Sequence, residues 1–151
     1  MDDLRDLYQA TILDHNKSPR NFRSLEDANR SADGNNPVCG DKLTLYLKLD
    51  QHDRVEDIGF QGAGCAISTA SASLMTERVK GKTVEEIERD FERFHEVVTG
   101  NPSQEANSSG LGKLSVFAGV REYPVRVKCA TLCWHTLRAA LGQSGEVART
   151  E

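Results

Sequence analysis

The chain has 151 residues, enough for one compact domain with a hydrophobic core and too few for two. Its 38% hydrophobic and 28% charged content excludes a disordered chain and fits a folded, soluble one. A net charge of −4, a sequence pI of about 5.6 and the lack of a Lys/Arg stripe argue against nucleic acid as a partner.

Residues 1–6 (MDDLRD) offer neither a basic n-region nor an apolar h-region, so no signal peptide is expected. No apolar run approaches the ~20 residues of a membrane span, and the expected location is cytoplasmic. Leu4, Leu7, Tyr8 and Ile12 recur on one helix face, and Pro19 in the stretch NKSPRN ends that helix. Residues 24–38 are polar and close on the turn signal Gly34-Asn35-Asn36-Pro37, with room for a short edge strand of weak pattern. Leu43, Leu45, Leu47 and Leu49 alternate with polar or amphipathic neighbours, as in a half-buried strand. A polar turn at 50–53 leads to a returning strand over 55–61, with Ile58 and Phe60 on one face, and the two strands form a hairpin. Gly62-Ala63-Gly64-Cys65 permits an unusual backbone path into a small-residue helix over 66–79. Thr83 and Glu86 form a capping-box pattern, and Val84, Ile87, Phe91, Phe94 and Val98 continue at helical spacing until Gly100-Asn101-Pro102 stops them. A polar loop follows over 101–110. Leu114, Phe117 and Val120 mark a short helix. Pro124 suits the first turn of the last helix, on which Cys129, Leu132, Cys133, Leu137, Ala140 and Leu141 share one face up to Gly142. The tail SGEVARTE is expected to be loose. The whole, residues 1–151 with a core over about 3–142, reads as a single α+β domain, a small antiparallel sheet packed against a cluster of helices.

The four cysteines are grouped around glycines. In a reducing compartment such cysteines point to metal binding or thiol chemistry rather than to a disulfide framework. In Cys39-Gly40-Asp41, two residues separated by one in extended backbone point to the same side. Cys65 stands at a helix start, which favours the thiolate. A hairpin sets the start of its first strand beside the end of its second, so Cys39, Asp41 and Cys65 converge. Cys129, near the start of the last helix, is the natural fourth ligand. Three Cys and one Asp suit tetrahedral zinc. The carboxylate is a harder, more exchangeable ligand than sulfur, which suits a site whose coordination rearranges and frees a cysteine as nucleophile or sulfur acceptor. A second reading stays open on spacing alone: Cys-Gly-Asp as a plain turn, with the cysteines as small buried hydrophobes and no CxxC pair among them.

Four stretches carry a family resemblance. NNPVCGD (35–41), GAGCAIS (62–68) with SASLM (71–75), and VKCATLCW (127–134) resemble the three cysteine motifs of the SufU/IscU group of iron–sulfur cluster assembly proteins. YQATILDHNKSPRNF (8–22) resembles that group's opening helix and the turn after it. In order, the matches cover nearly the whole chain. The resemblance implies a SufE/NifU-like fold. IscU-type members, scaffolds that assemble and transfer a [2Fe–2S] cluster, carry a His directly before the third cysteine and a shorter segment ahead of it. Here Lys128 holds that position and residues 80–112 add a helix and loop, as in the SufU type, the zinc-dependent sulfurtransferases. On that resemblance Cys39, Asp41, Cys65 and Cys129 are zinc ligands and Cys39 is the persulfide acceptor. The implied partners are a SufS-type PLP-dependent cysteine desulfurase, which supplies a His to the metal position that Cys39 vacates, and a downstream Fe–S scaffold. Arg126 matches a basic family position suited to steering the partner or the anionic persulfide. An IscU-type scaffold is the alternative. Nothing resembles a PLP-lysine site, so PLP is expected on the partner.

Cys133 stands where the family usually has a small residue, and reads either as a spare thiol or sulfur relay or as a buried small hydrophobe. The four histidines are not expected to cluster. His15 is expected to fix the turn after the first helix, His52 to sit in the hairpin turn, and His95 and His135 to lie on helices as surface or satisfied core residues. Trp134 reads as packing, and the run over 85–90 as the solvated face of a helix.

Overall fold

In the computed structural model residues 2–99, 112–142 and 148–149 are described, without the side chains of 2–9, 115, 118, 121, 122, 148 and 149. The expected stop at Gly100-Asn101-Pro102, the loop over 101–110, most of the tail and the side chains of Leu4, Leu7 and Tyr8 lie outside that set.

The alternation in DKLTLYLKL builds the sheet. Strand β2 (Asp41–Leu49) turns Leu43, Leu45, Leu47 and Leu49 into the core. Strand β3 (Val55–Ala63) returns antiparallel and sets Phe60 opposite Leu45 and Ile58 opposite Leu47. Each such buried side chain stabilises by roughly 1.5–3 kcal/mol. A register shift between Lys48 and Leu49 resets the parity, so Val55 also faces inward. The weak strand within 24–38 is β1 (Arg30–Asn36), antiparallel to β2. It is the outer strand of the three antiparallel ones. The short β4 (Ala148–Arg149) pairs parallel to it at Gly34 and Asn35, giving the order β3-β2-β1-β4. Part of the tail expected to be loose is therefore docked, and the sheet is three antiparallel strands with a two-residue parallel addition.

Helices cover the apolar face. They are α1 (Asp2–Lys17), α2 (Ala66–Val79), α3 (Val84–Thr99) and α4 (Pro124–Gly142), with a 3₁₀ helix over Gly112–Glu122 between the last two. The small residues of α2 let α1 and α4 pack against it, and Ser71 Oγ donates to the Ala130 carbonyl of α4 at 2.6 Å. The turn after α1 is pinned to α2 as well. Ser73 Oγ accepts from the Arg20 amide at 2.8 Å and meets buried His15 Nδ1 at 2.7 Å, so His15 does fix that turn. The capping box closes as the spacing predicts: the Thr83 amide donates to Glu86 Oε1 at 3.1 Å and the Glu86 amide to Thr83 Oγ1 at 3.3 Å. Leu114, Phe117 and Val120 recur at intervals of three, the 3₁₀ period, and all three are buried.

Two expectations about the helices change. Asp90, placed on a solvated face, is buried and accepts from Arg78 Nε at 3.0 Å and Lys82 Nζ at 2.7 Å. Helix α4 buries Ala130, Thr131, Trp134 and Thr136 in addition to the expected face, because α2, α3, β1, β2, β4 and the 3₁₀ helix all pack against it. Trp134 does pack: it stacks on Phe94 at 5.4 Å, and Phe94 meets Phe117 edge-on at 5.9 Å.

Candidate metal centre

The site lies where the β1–β2 turn, the end of β3 and the starts of α2 and α4 meet. Asp41 is the first residue of β2 and stands opposite Asn36, the last of β1. Cys39 occupies the turn between them, over residues 37–40, and is not in extended backbone. What brings it to the side of Asp41 is Gly40 at φ +75°, a conformation that disfavours any residue with a Cβ, together with the Gly40 amide bonded to the Asn36 carbonyl at 2.8 Å. Lys42 pairs with Ala63, so the end of β3 arrives beside Asp41 as hairpin topology requires. The Cys65 amide donates to Asp41 Oδ1 at 2.9 Å. That approach needs glycine at 64, where a Cβ would stand 2.8 Å from the same oxygen.

The thiols of Cys39 and Cys129 and a carboxylate oxygen of Asp41 lie within 4.8 Å of one another, the one such grouping of three among the described residues. Cys129 Sγ donates to Cys39 Sγ at 3.4 Å. Cys39 is exposed, while Asp41 and Cys129 are buried. Ligands about 2.0–2.3 Å from a tetrahedral zinc stand about 3.3–3.8 Å apart, so the donor set fits such an ion with small side-chain adjustments. Cys65 stands beside this trio rather than in it. It is the N-cap of α2, and its sulfur accepts from the Ser68 amide at 3.4 Å. Burial first, and then Asp41, Cys39 and Cys65, push the Cys129 thiol far up from its ordinary value. The thiols of Cys65 and Cys129 in turn hold the exposed Arg126 guanidinium above its ordinary value, which places Arg126 at the rim of the cluster.

Asn36 is the contributor that spacing did not single out. It is fully buried, donates from Nδ2 to Asp41 Oδ2 at 3.3 Å, lies 3.7 Å from Cys129 Sγ, and accepts the Val38 amide at 3.2 Å. Its signal was present in the Asn-Asn-Pro turn, because Asn bonds the backbone two residues on. Cys133 is buried one turn beyond Cys129 with its sulfur 3.4 Å from Ser71 Oγ, and burial pushes its thiol up to about 12. That is the packing reading. His52 lies in the β2–β3 turn, its amide bonded to Asp50 Oδ1 at 2.8 Å. His95 and His135, expected apart, share a surface groove of about 430 Å³ with Phe91, Glu92, Glu96 and Arg138. They meet because α3 crosses α4 there, with Phe91 between the two rings' contacts.

A helix-backed antiparallel sheet with two thiols and a carboxylate gathered at one end defines an α+β protein carrying a thiol–carboxylate centre. Residues 7–130 match the family described as NifU-like N terminal domain. The chain is 43% identical over 143 residues to the iron–sulfur cluster assembly scaffold protein IscU of Streptococcus pyogenes serotype M1, covering 93% of this chain and 86% of that one. It is 42% identical over 137 residues to the zinc-dependent sulfurtransferase SufU of Bacillus subtilis, covering 91% and 90%. Among solved structures, an iron–sulfur cluster assembly scaffold protein for the SUF system from Fervidobacterium islandicum AW-1 superposes with a TM-score of 0.79 at 37% identity, covering 87% of this chain and 93% of that one. The chain belongs to the NifU-like N-terminal domain family, within the IscU/SufU group of iron–sulfur cluster assembly proteins. No helix among the described residues is long and apolar enough to cross a membrane.

Proposed function

We propose that the chain is a zinc-dependent sulfurtransferase of the SufU type. Cys39, Asp41, Cys65 and Cys129 hold the zinc, and Cys39 takes persulfide sulfur from a SufS-type cysteine desulfurase for delivery to a downstream Fe–S scaffold. The observation that carries this reading is the burial pattern of the trio, an exposed Cys39 on a turn beside buried Asp41 and Cys129. The buried pair is suited to staying in place while the exposed thiol is released and reaches outward. The bound zinc supplies charge that keeps its thiolate ligands deprotonated. Cys65, whose sulfur caps α2 beside the trio, would be the fourth ligand. Freed as a thiolate, Cys39 attacks the terminal sulfur of the desulfurase persulfide, and the desulfurase thiolate leaves. Arg126 at the rim favours the anionic persulfide. Lys128 in place of the His of IscU-type scaffolds, and the extra α3, weigh toward transfer and against cluster building.

The test is mass spectrometry of the chain after incubation with desulfurase and cysteine. A gain of one sulfur mass on the Cys39 peptide is expected, together with a colourless, zinc-containing protein. If no cysteine gains sulfur and the anaerobically isolated protein instead carries a stable visible chromophore, the scaffold reading replaces this one.

A further inference from the structure

Cys129 Sγ is 3.4 Å from Cys39 Sγ and wholly buried, with the Asp41 carboxylate in the same cluster. A sulfur added to Cys39 leaves the inner sulfur of the new persulfide at that contact. A thiolate attacks an S–S bond when it reaches one of the two sulfurs, and hydrosulfide is a good leaving group. Closing the contact to a bond requires a movement of about 1.4 Å, and Cys39 sits on a turn rather than within a strand or helix.

We infer that Cys129 is the resolving thiol of a Cys39 persulfide whenever no metal holds it, forming a Cys39–Cys129 disulfide and expelling the sulfur as hydrosulfide. The inference rests on Cys39 carrying a persulfide, as proposed above. The reaction balances without an outside oxidant or reductant. The Cys39 inner S–outer S bond breaks as the Cys39–Cys129 bond forms. The electron pair of the broken bond leaves on the outer sulfur, which is reduced to sulfide, while the Cys129 sulfur is oxidised and the Cys39 sulfur passes from one S–S bond to another. The outer sulfur of the anionic persulfide takes the Cys129 proton, which makes Cys129 the attacking thiolate and lets the outer sulfur leave as HS⁻. A metal on Cys129 engages the lone pair that this attack uses. Metal occupancy therefore decides whether sulfur is kept as persulfide or shed as sulfide. Cys133 is no rival, being buried in α4 and engaged with Ser71. Cys65 caps its own helix, outside the cluster that holds Cys39.

The experiment loads the zinc form of the full chain with desulfurase and cysteine, removes both, strips zinc anaerobically with EDTA, and follows mass and released sulfide. The expected result is loss of the added sulfur, a final mass two hydrogens below the reduced chain, a linked Cys39–Cys129 peptide, and one sulfide per persulfide lost. The unstripped parent is expected to hold its persulfide on the order of ten times longer than the stripped one. A Cys39 persulfide that lasts as long in the stripped as in the unstripped parent overturns the inference alone, as does a disulfide from Cys39 to Cys65. If Cys39 gains no sulfur at the loading step, the sulfurtransferase reading fails and this inference falls with it.

Discussion

Helices α2 and α3 begin in opposite ways. α3 opens on Thr83 and Glu86, which satisfy each other's backbone amides. α2 opens on Cys65, whose sulfur, a weak acceptor, stands where Ser, Thr, Asp or Asn are strongly preferred. The contrast extends outward from each start. Around α3 lie the Asp90–Arg78–Lys82 ion cluster and the stack of Phe94, Trp134 and Phe117. Around the start of α2 lie an exposed thiol and a left-handed glycine, with the exposed side chain of Val38 in the same turn. One end obeys the local rules of stability. The other departs from them where reactive groups must be held, which is where such departures are expected.

The largest effect should fall on the stable end. Trp134→Ala is expected to cost about 3–5 kcal/mol in urea unfolding. Trp134→Phe should cost much less, because Trp134 Nε1 has no hydrogen-bond partner among the described residues. Equal losses in the two variants would show that the ring volume is not what matters there. Thr83→Ala should lower stability by about 1 kcal/mol and, on the proposed sulfurtransferase reading, leave sulfur loading on Cys39 untouched. A change in loading would break the separation between the ends.

The next effect is in pH. Burial, with Arg20 second, lowers His15 below its ordinary value of 6.5, against the pull of Glu77 and Asp14. The folded state therefore resists a proton that the unfolded state takes up. The His15 contribution is complete above 6.5 and is lost as pH falls from there through the lowered native value. Thermal melts of His15→Gln should show a shallower loss than the parent across that window. His135 is lowered by burial too and contributes equally to both proteins. Parallel melting curves for the pair would remove His15 as a source of the slope. The smallest effect is the most informative about the comparison. Cys65→Ser in the metal-free protein should be neutral or stabilising by a few tenths of a kcal/mol, since Ser is the better cap, while the sulfur transfer proposed above is lost. A loss above about 1 kcal/mol would make Cys65 a packing residue and undo the contrast drawn here.

The frame was legible where local patterns and tertiary packing agree. The β2–β3 hairpin, the α2 helix, the capping box and Pro124 at the start of α4 all follow from residue spacing. Strand β1 was faint because its sequence, RSADGNN, buries only Gly34 and Asn36. Gly34 is there because α4 comes so close that a Cβ would overlap Thr136 Oγ1, a constraint set by a helix far away in sequence. The same distant packing hid the all-round burial of α4 and of Asp90. At the site the residue types and the hairpin topology were readable, but the path was not. Cys39 reaches Asp41 through a left-handed Gly40 instead of strand alternation, and Cys65 turns its sulfur to its own helix. Those are torsional choices that spacing does not encode. His95 and His135 were missed as neighbours because only the crossing of α3 and α4 joins them.

The chain has a single tryptophan, and it is the ring stacked on Phe94 in the interior. Its fluorescence is therefore a reporter of one end of the molecule. A blue-shifted emission that persists when metal is withdrawn would mean the aromatic layer stays dry while the thiol end relaxes. A shift to the red would mean the two ends melt as one cooperative unit. A spectroscopic handle for asking how far the centre and the frame are coupled is built into the protein, without any added label.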